Sequence, residues 1–176
     1  QSYQVAITGS VMCHDQGKFY NRLVFMKPDA SFSTYDKAHL FSLAKEQDIY
    51  TSGQKPCIVS YKSWKINLQI CYDLRFPVWS RNTSDYDLLI YVANWPEKRI
   101  TAWDALLKAR AIENMTYCIG VNRIGQDGNQ VNYVGHSAGY DYLGRQISTH
   151  EPSQAVVERL NLSYHEQQDA RHKFGF

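Results

Sequence analysis

Strands and helices alternate through the middle of this 176-residue chain, and that alternation restricts the possible folds more than any other feature. Apolar, strand-like runs occupy residues 64–71, 87–93 and 117–121. A helix-like segment opened by Pro77 separates the first two runs, and a long helical pattern over 98–115 separates the last two. Because hairpin-like strands flank this region at both ends, the pattern predicts a mixed α/β layered domain and not a purely doubly wound one.

The flanking segments are predicted from shorter signals. Residues 4–13 and 18–27 are rich in Val, Ile, Phe and Tyr, and the turn residues between them indicate a hairpin. Residues 36–54 are predicted to form an irregular loop, and long loops in compact domains tend to be functional. Further strands are predicted at 31–35, 57–61, 131–134, 137–142, 145–149 and 154–160, and a final helix is predicted at 163–173.

Composition and charge exclude several classes of protein. Apolar residues make up 44% of the chain, enough for the core of one domain over 1–176, and no apolar run has membrane-spanning length. The net charge of +2 is spread along the chain, which argues against a nucleic-acid partner. The first residues are not those of a signal peptide, and the four cysteines lack CxxC spacing, so we expect no metal and a reducing, cytoplasmic location.

The chain enters a strand-like run, Val5 to Gly9, almost at its first residue. A domain rarely starts in this way. We therefore expect the domain to be incomplete at its N-terminus, with further residues upstream in the encoded protein.

Cys71 has the sequence surroundings of a reactive thiol. It lies at the C-terminal end of a predicted strand and just before the turn into the segment opened by Pro77. This position resembles a nucleophile elbow, which exposes the side chain and frees the following backbone N–H groups to stabilise an oxyanion. On spacing alone, a core cysteine is an equally good interpretation.

The chain resembles the nitrilase superfamily of carbon–nitrogen hydrolases in several motifs that occur in the family's order. These are Tyr35-Asp36-Lys37-Ala38-His39-Leu40-Phe41, Cys71-Tyr72-Asp73-Leu74-Arg75-Phe76-Pro77, Ala109-Arg110-Ala111-Ile112-Glu113-Asn114, Val121-Asn122-Arg123 and Gly135-His136-Ser137. Within the family, Trp79-Ser80-Arg81-Asn82 and Tyr91-Val92-Ala93-Asn94-Trp95-Pro96 resemble the omega-amidase branch, which acts on 2-oxoglutaramate and similar omega-amides.

The resemblance implies a four-layer α-β-β-α sandwich and a Glu–Lys–Cys triad. It assigns the nucleophile to Cys71, oxyanion stabilisation to Lys37 and the backbone N–H of Tyr72, and the orientation of Lys37 or of water to Glu46. A solvated loop position is the alternative for Glu46. The thiol would attack the amide carbonyl, release ammonia and leave a thioester for water to hydrolyse, without a cofactor.

The resemblance also places the general-base glutamate of the triad upstream of these motifs, and residues 1–34 contain no Glu. Lacking a positioned base, a thiol would lose about 10²–10⁴-fold in rate. The resemblance implies a homodimeric amidase that acts on a small-molecule amide. The alternatives are an N-carbamoyl hydrolase or nitrilase on the same scaffold, and a truncated, non-catalytic binding or assembly chain.

Four residues are candidates for substrate binding: Arg75, Phe76, Asn94 and Trp95. They follow two strands whose carboxyl ends should face one pocket. Arg75 would bind a substrate carboxylate, although an internal salt bridge to Glu113 or Asp73 is an alternative. Trp95 would either wall the pocket or belong to the core.

Overall fold

The computed structural model describes residues 3–176 as two main β-sheets, a short hairpin and three α-helices. The strands are β1 (Ile7–Asp15), β2 (Lys18–Met26), β3 (Phe32–Asp36), β4 (Cys57–Tyr61), β5 (Trp64–Ile70), β6 (Leu88–Ala93), β7 (Tyr117–Asn122), β8 (Ile124–Gln126), β9 (Asn132–Val134) and β10 (Ala138–Tyr140). The helices are α1 (Pro77–Ser80), α2 (Ile100–Asn114) and α3 (Tyr164–Phe174). Short 3₁₀ turns occupy Ser42–Ala44, Glu46–Asp48, Cys71–Arg75 and Glu97–Arg99.

The larger sheet has the strand order β10-β7-β6-β5-β4. Its three central strands, β5, β6 and β7, run parallel, whereas β4 and β10 pair antiparallel at the edges. The carboxyl ends of the three parallel strands therefore lie side by side. This is the edge at which α/β sheets collect their ligands.

The smaller sheet is the antiparallel meander β1-β2-β3. Its first turn contains Gln16 and Gly17, both with positive φ (49° and 78°). Positive φ at both central residues is what a tight two-residue hairpin turn requires. The predicted N-terminal hairpin is therefore confirmed.

Alternate side chains of the larger sheet enter two separate cores. Leu88 and Ile90 of β6 pack with Leu23 and Phe25 of the smaller sheet, so the two sheets lie face to face. The intervening residues of β6 and β7, Leu89, Tyr91 and Cys118, pack instead against Trp103, Leu107 and Ala111 of α2. Because both of its faces are covered, β6 reads in the sequence as a continuous apolar run.

A single glycine permits the close approach of α2 to β7. A Cβ placed on Gly120 would lie 2.4 Å from Leu107 Cδ1 and 2.7 Å from Trp103 Cζ2. The helix–sheet contact therefore depends on the missing side chain at this position.

Two predicted strands near the C-terminus were wrong. Residues 145–149 form only an isolated bridge, Tyr140 to Gln146, because the Asp141 carboxylate closes a tight turn through the backbone N–H groups of Leu143 and Arg145. Residues 154–160 form no strand, and the Glu158 carboxylate there binds Thr149 and His150 instead. β8, which is three exposed residues long, was not predicted from the sequence.

In the described part of the chain, no helix combines the length and the apolar character needed to cross a bilayer. Across residues 3–176, no group of three or more His, Cys, Asp and Glu side chains is placed to hold a metal ion. The four cysteines are all free.

Candidate active site

Cys71 forms a strained elbow at the carboxyl end of β5. Its φ is +48°, a left-handed conformation that residues other than glycine rarely adopt. Such backbone strain costs about 1–3 kcal/mol and is concentrated at functional sites. Cys71 and Tyr72 also open a 3₁₀ turn, whose first N–H groups have no partner within the turn. Cys71 therefore lies at a sharp turn directly after a strand, as expected from the sequence.

Lys37 is a buried cation with a dedicated counterion. Its side chain is 1% exposed, and its Nζ lies 2.6 and 2.9 Å from the two carboxylate oxygens of Glu46. Glu46 Oε2 also accepts a hydrogen bond from the backbone N–H of Phe41 at 2.8 Å. Glu46 is therefore not a solvated loop residue, because it joins Lys37 to the start of the preceding 3₁₀ turn, Ser42–Ala44.

Asp73 ties the lysine segment to the cysteine elbow, a role that the sequence analysis missed. Its side chain is fully buried. It accepts hydrogen bonds from Tyr35 Oη at 2.8 Å and from the backbone N–H groups of Ile70 and His39 at 3.0 Å each. The ring of His39 also contacts it, with Nδ1 2.7 Å from Oδ1. The position of Asp73 inside the cysteine motif was the only available signal for this role.

Arg110 of α2 supports the elbow from the other side. Its buried guanidinium donates to the carbonyl oxygen of Leu74 at 2.6 Å and to Glu113 Oε1 at 3.0 Å. The motif at 109–114 therefore acts by positioning the turn that carries Cys71. Its side chains do not line the cavity at the site.

Asn122 fixes the loop that follows β6. Its side chain accepts a hydrogen bond from the N–H of Trp95 at 2.7 Å, and donates to the carbonyl oxygens of Trp95 at 3.0 Å and Gly135 at 2.7 Å. The amide thus holds Asn94 and Trp95 next to the elbow. Cys71 Sγ lies 3.9 Å from the carbonyl oxygen of Asn94.

A cavity of about 660 Å³ opens at this edge of the sheet. It brings together seven of the eight predicted site residues, namely Cys71, Lys37, Glu46, Tyr72, Arg75, Asn94 and Trp95. Phe76 does not line it, and its ring instead stacks on His39 with the ring centroids 3.7 Å apart. Residues that the sequence analysis did not single out complete the wall, among them Arg99, Asp127 and Tyr133.

The structure separates the two interpretations of Arg75. Its guanidinium lies over the ring of Trp95, 5.3 Å from the centroid, and lines the cavity. Glu113 pairs with Arg110 and Asp73 contacts His39, so neither expected internal salt bridge forms. Trp95 is 2% exposed and serves as both core and wall, because its ring also packs on Trp103.

The protonation of Cys71 is set by burial and by Lys37. Burial raises the pKa of the Cys71 thiol above its ordinary range, and the positive charge of Lys37 offsets part of that rise. Because the thiolate is the reactive form, the thiol has to lose its proton to a base before it attacks.

The fold and the site together define a class: a layered α/β protein with a cysteine on a strained strand-end elbow and a buried lysine in the wall of the same cavity. Comparison with known proteins agrees with that class. The carbon-nitrogen hydrolase family profile matches residues 1–164. The chain therefore belongs to the carbon–nitrogen hydrolase family, that is, to the nitrilase superfamily, and falls in its omega-amidase branch.

Two curated relatives illustrate the similarity. Omega-amidase YafV of Yersinia enterocolitica is 45% identical over 168 residues, which cover 96% of this chain and 66% of that protein. A 2-oxoglutaramate amidase of Bacillus subtilis is 30% identical over 168 residues, covering 94% of this chain and 64% of that protein. The chain thus spans about two thirds of the length of these relatives.

Solved structures show the same fold. XC1258 of Xanthomonas campestris, a CN-hydrolase superfamily protein, superimposes with a TM-score of 0.91 at 42% identity, covering 98% of this chain and 68% of that one. Nit3 of Saccharomyces cerevisiae superimposes with a TM-score of 0.85 at 21% identity, covering 97% and 64%. The predicted nitrilase-type α-β-β-α sandwich is confirmed, and the described residues supply α2 and the two facing sheets.

Proposed function

We propose that the complete encoded protein hydrolyses an omega-amide, such as 2-oxoglutaramate, to the corresponding acid and ammonia through a thioester on Cys71. One observation carries the proposal: the strained elbow at Cys71 and the buried Lys37–Glu46 pair lie in the wall of one cavity. The names of the relatives, an omega-amidase and a 2-oxoglutaramate amidase, support the choice of substrate class.

The first half of the reaction forms the thioester. The Cys71 thiolate adds to the amide carbonyl carbon, and the negative charge that develops on oxygen is stabilised by the Lys37 ammonium and the backbone N–H of Tyr72. Such preorganised donors contribute roughly 3–4 kcal/mol each to a transition state of this kind. The carbon–nitrogen bond then breaks, and the nitrogen takes up a proton and leaves as ammonia.

The second half of the reaction hydrolyses the thioester. Water adds to the thioester carbonyl while its proton passes to a base, and the carbon–sulfur bond breaks to return the thiol and release the acid. Glu46 orients Lys37 in both halves, since its two oxygens are engaged by Nζ and by the N–H of Phe41. That engagement leaves Glu46 poorly suited to accept the proton of Cys71, so we assign this step to the upstream glutamate implied by the family resemblance.

The substrate chain would extend from Cys71 along the loop after β6. Asn94 and Trp95 flank the thiol, and Arg75 presents its guanidinium from the same turn. Phe76 would act indirectly, by holding His39 against the elbow.

We further propose that the complete protein is a homodimer, acts in the cytoplasm and needs no cofactor. Analytical ultracentrifugation tests the assembly.

The decisive experiment is ammonia release from 2-oxoglutaramate by the complete protein and its Cys71→Ala variant. We expect turnover in the former and none in the latter, together with a thioester mass adduct in the wild type when the reaction is quenched in acid. Full turnover in the Cys71→Ala variant would overturn the mechanism.

The substrate class needs its own panel, because one scaffold serves several reactions. 2-Oxoglutaramate, a carbamoyl amino acid and an aliphatic nitrile should be compared by kcat/KM. The omega-amide should be preferred. A higher kcat/KM on the carbamoyl compound or the nitrile would replace the amidase proposal with that activity, and turnover of none of the three would favour a non-catalytic role.

A further inference from the structure

Three arginines in the cavity wall have no carboxylate partner within residues 3–176. Each guanidinium instead lies over an aromatic ring, with distances to the ring centroid of 5.3 Å for Arg75 on Trp95, 4.8 Å for Arg99 on Phe41 and 4.7 Å for Arg123 on Tyr133. The carboxylates in the same wall, Glu46 and Asp127, are already engaged by other donors. The cavity therefore has an excess of positive charge, which suits an anionic ligand.

Arg123 occupies a special place among the three. It follows β7, and its backbone N–H donates to the carbonyl oxygen of Ala93 at 3.3 Å, which places it beside Asn94, the residue that follows β6. Cys71 lies one strand further. Since neighbouring strands are about 4.8 Å apart, the backbones at Arg123 and Cys71 are separated by roughly 10 Å.

Both side chains line the same cavity. An extended five-carbon chain spans about 5 Å between its terminal carbons. A ligand with its amide carbon at the Cys71 sulfur and a carboxylate at its far end can therefore meet the Arg123 guanidinium across that cavity.

The β8–β9 hairpin gives Arg123 a rigid support. Asp127 Oδ1 accepts the backbone N–H groups of Asn129 and Val131 at 2.9 and 3.0 Å, which closes the hairpin turn. Its Oδ2 accepts Tyr133 Oη at 2.8 Å, which fixes the ring beneath the guanidinium. Burial and the bond to Asp127 raise the pKa of Tyr133 to about 12, so the phenol keeps this proton at neutral pH.

The remaining donors of Arg123 are available to a ligand. Nη2 donates to the carbonyl oxygen of Gln126 at 3.3 Å, and this is the one hydrogen bond that the guanidinium makes within residues 3–176. Arginine carries five N–H donors in a planar fork that fits a carboxylate with two parallel hydrogen bonds. The side chain is thus oriented but not saturated.

We propose that Arg123, supported by Tyr133 and Asp127 of the β8–β9 hairpin, binds the remote carboxylate of the substrate and so makes the enzyme selective for mono-amides of dicarboxylic acids over neutral amides. The inference rests on the proposed function and deepens it. Arg123 is a second anchor for the carboxylate. It follows β7, whereas Arg75 lies in the turn that follows β5.

The test compares glutaramate with pentanamide, which differ only by a carboxylate in place of a methyl group. In the complete protein, Arg123→Gln should lower kcat/KM for glutaramate by roughly 10- to 100-fold and leave kcat/KM for pentanamide within about threefold, the loss expected for a charge-assisted hydrogen bond. The matched control is Arg81→Gln, because Arg81 also lies over an aromatic ring, that of Phe176, but does not line the cavity. It should alter the preference between the two amides by less than threefold. Equal losses on both amides in the Arg123→Gln protein, or no loss on glutaramate, would overturn the proposal.

A binding measurement separates this inference from the amidase proposal itself. Titration calorimetry of 2-oxoglutarate, the acid that hydrolysis would yield, against the Cys71→Ala protein requires no turnover. Adding Arg123→Gln should weaken Kd at least tenfold, and Tyr133→Phe, which keeps the ring but loses the bond to Asp127, should weaken it by a smaller factor. Unchanged affinity in the Arg123→Gln protein would refute the carboxylate site even if omega-amides are hydrolysed.

Discussion

Glu46→Gln is the most informative single change, because it removes the counterion of a buried ammonium while keeping the shape of the side chain. Lys37 is 1% exposed and Glu46 20% exposed, so water cannot replace the lost charge at Lys37. Removing one partner of a buried ion pair costs about 3–5 kcal/mol. The amide oxygen of the new side chain can still accept one hydrogen bond, which returns about 1 kcal/mol. We therefore expect the free energy of unfolding to fall by about 2–4 kcal/mol.

The measurement is equilibrium denaturation of the complete protein in urea, followed by circular dichroism and by tryptophan fluorescence. The matched control is the double variant Lys37→Met/Glu46→Gln, which has no buried charge at this position. Its stability should return to within about 1 kcal/mol of the wild type, because replacing both members of a buried pair is often close to neutral. The double variant should nevertheless be inactive, since Lys37 is the proposed oxyanion donor.

Two results would refute this reasoning. A loss below about 1 kcal/mol in Glu46→Gln would show that Lys37 is not held as a buried, paired cation. A double variant as unstable as the single one would show that shape or the bond to Phe41, not charge, explains the loss.

Three further predictions follow from the geometry. Asp73→Asn should lower kcat by about 10²-fold or more and leave KM within a few fold, because it disturbs the link between the lysine segment and the elbow. Steady-state kinetics checks this, and a change in KM alone would contradict it. The rate of Cys71 alkylation by iodoacetamide, followed by peptide mass spectrometry, should keep increasing with pH to well above 8.5, the ordinary thiol pKa, because the pKa of Cys71 is raised. Lys37→Met should move this increase in rate to still higher pH, since the lysine charge offsets part of the rise in the pKa. Gly120→Ala should destabilise the protein by about 1–3 kcal/mol, measured as a shift in the urea midpoint, because the added methyl would overlap Leu107.

Local patterns in the sequence were sufficient for most of the elements. The parallel strands and α2 were found because their apolar periodicities are long and distinct, and the N-terminal hairpin because its turn residues are. The strands expected at 145–149 and 154–160 were wrong for a common reason. Side chains such as Asp141 and Glu158 capture backbone and side-chain donors there, and these local bonds replace a strand ladder.

The site was predictable where the chemistry depends on a contiguous motif. Cys71 and Lys37 lie in motifs that can be read directly, and the family resemblance supplied Glu46 nine residues after the lysine. Asp73 was visible in the cysteine motif, but its contacts with Tyr35 and His39 join segments 34 to 38 residues apart. No spacing rule reports such a contact.

What the sequence determined by itself was therefore the layered α/β class and the candidate pair of Cys71 and Lys37, because each rests on a motif of residues near one another in the chain. The tertiary structure alone decided which residues surround them. The parallel order of β5, β6 and β7 brings Cys71, Asn94 and Arg123 to one edge, and the support of Arg123 by Tyr133 depends on how the β8–β9 hairpin folds over that edge. Strand order is set by packing between distant segments, and that packing decided that Arg75 and Arg123 line the cavity without an ion pair to any residue in 3–176.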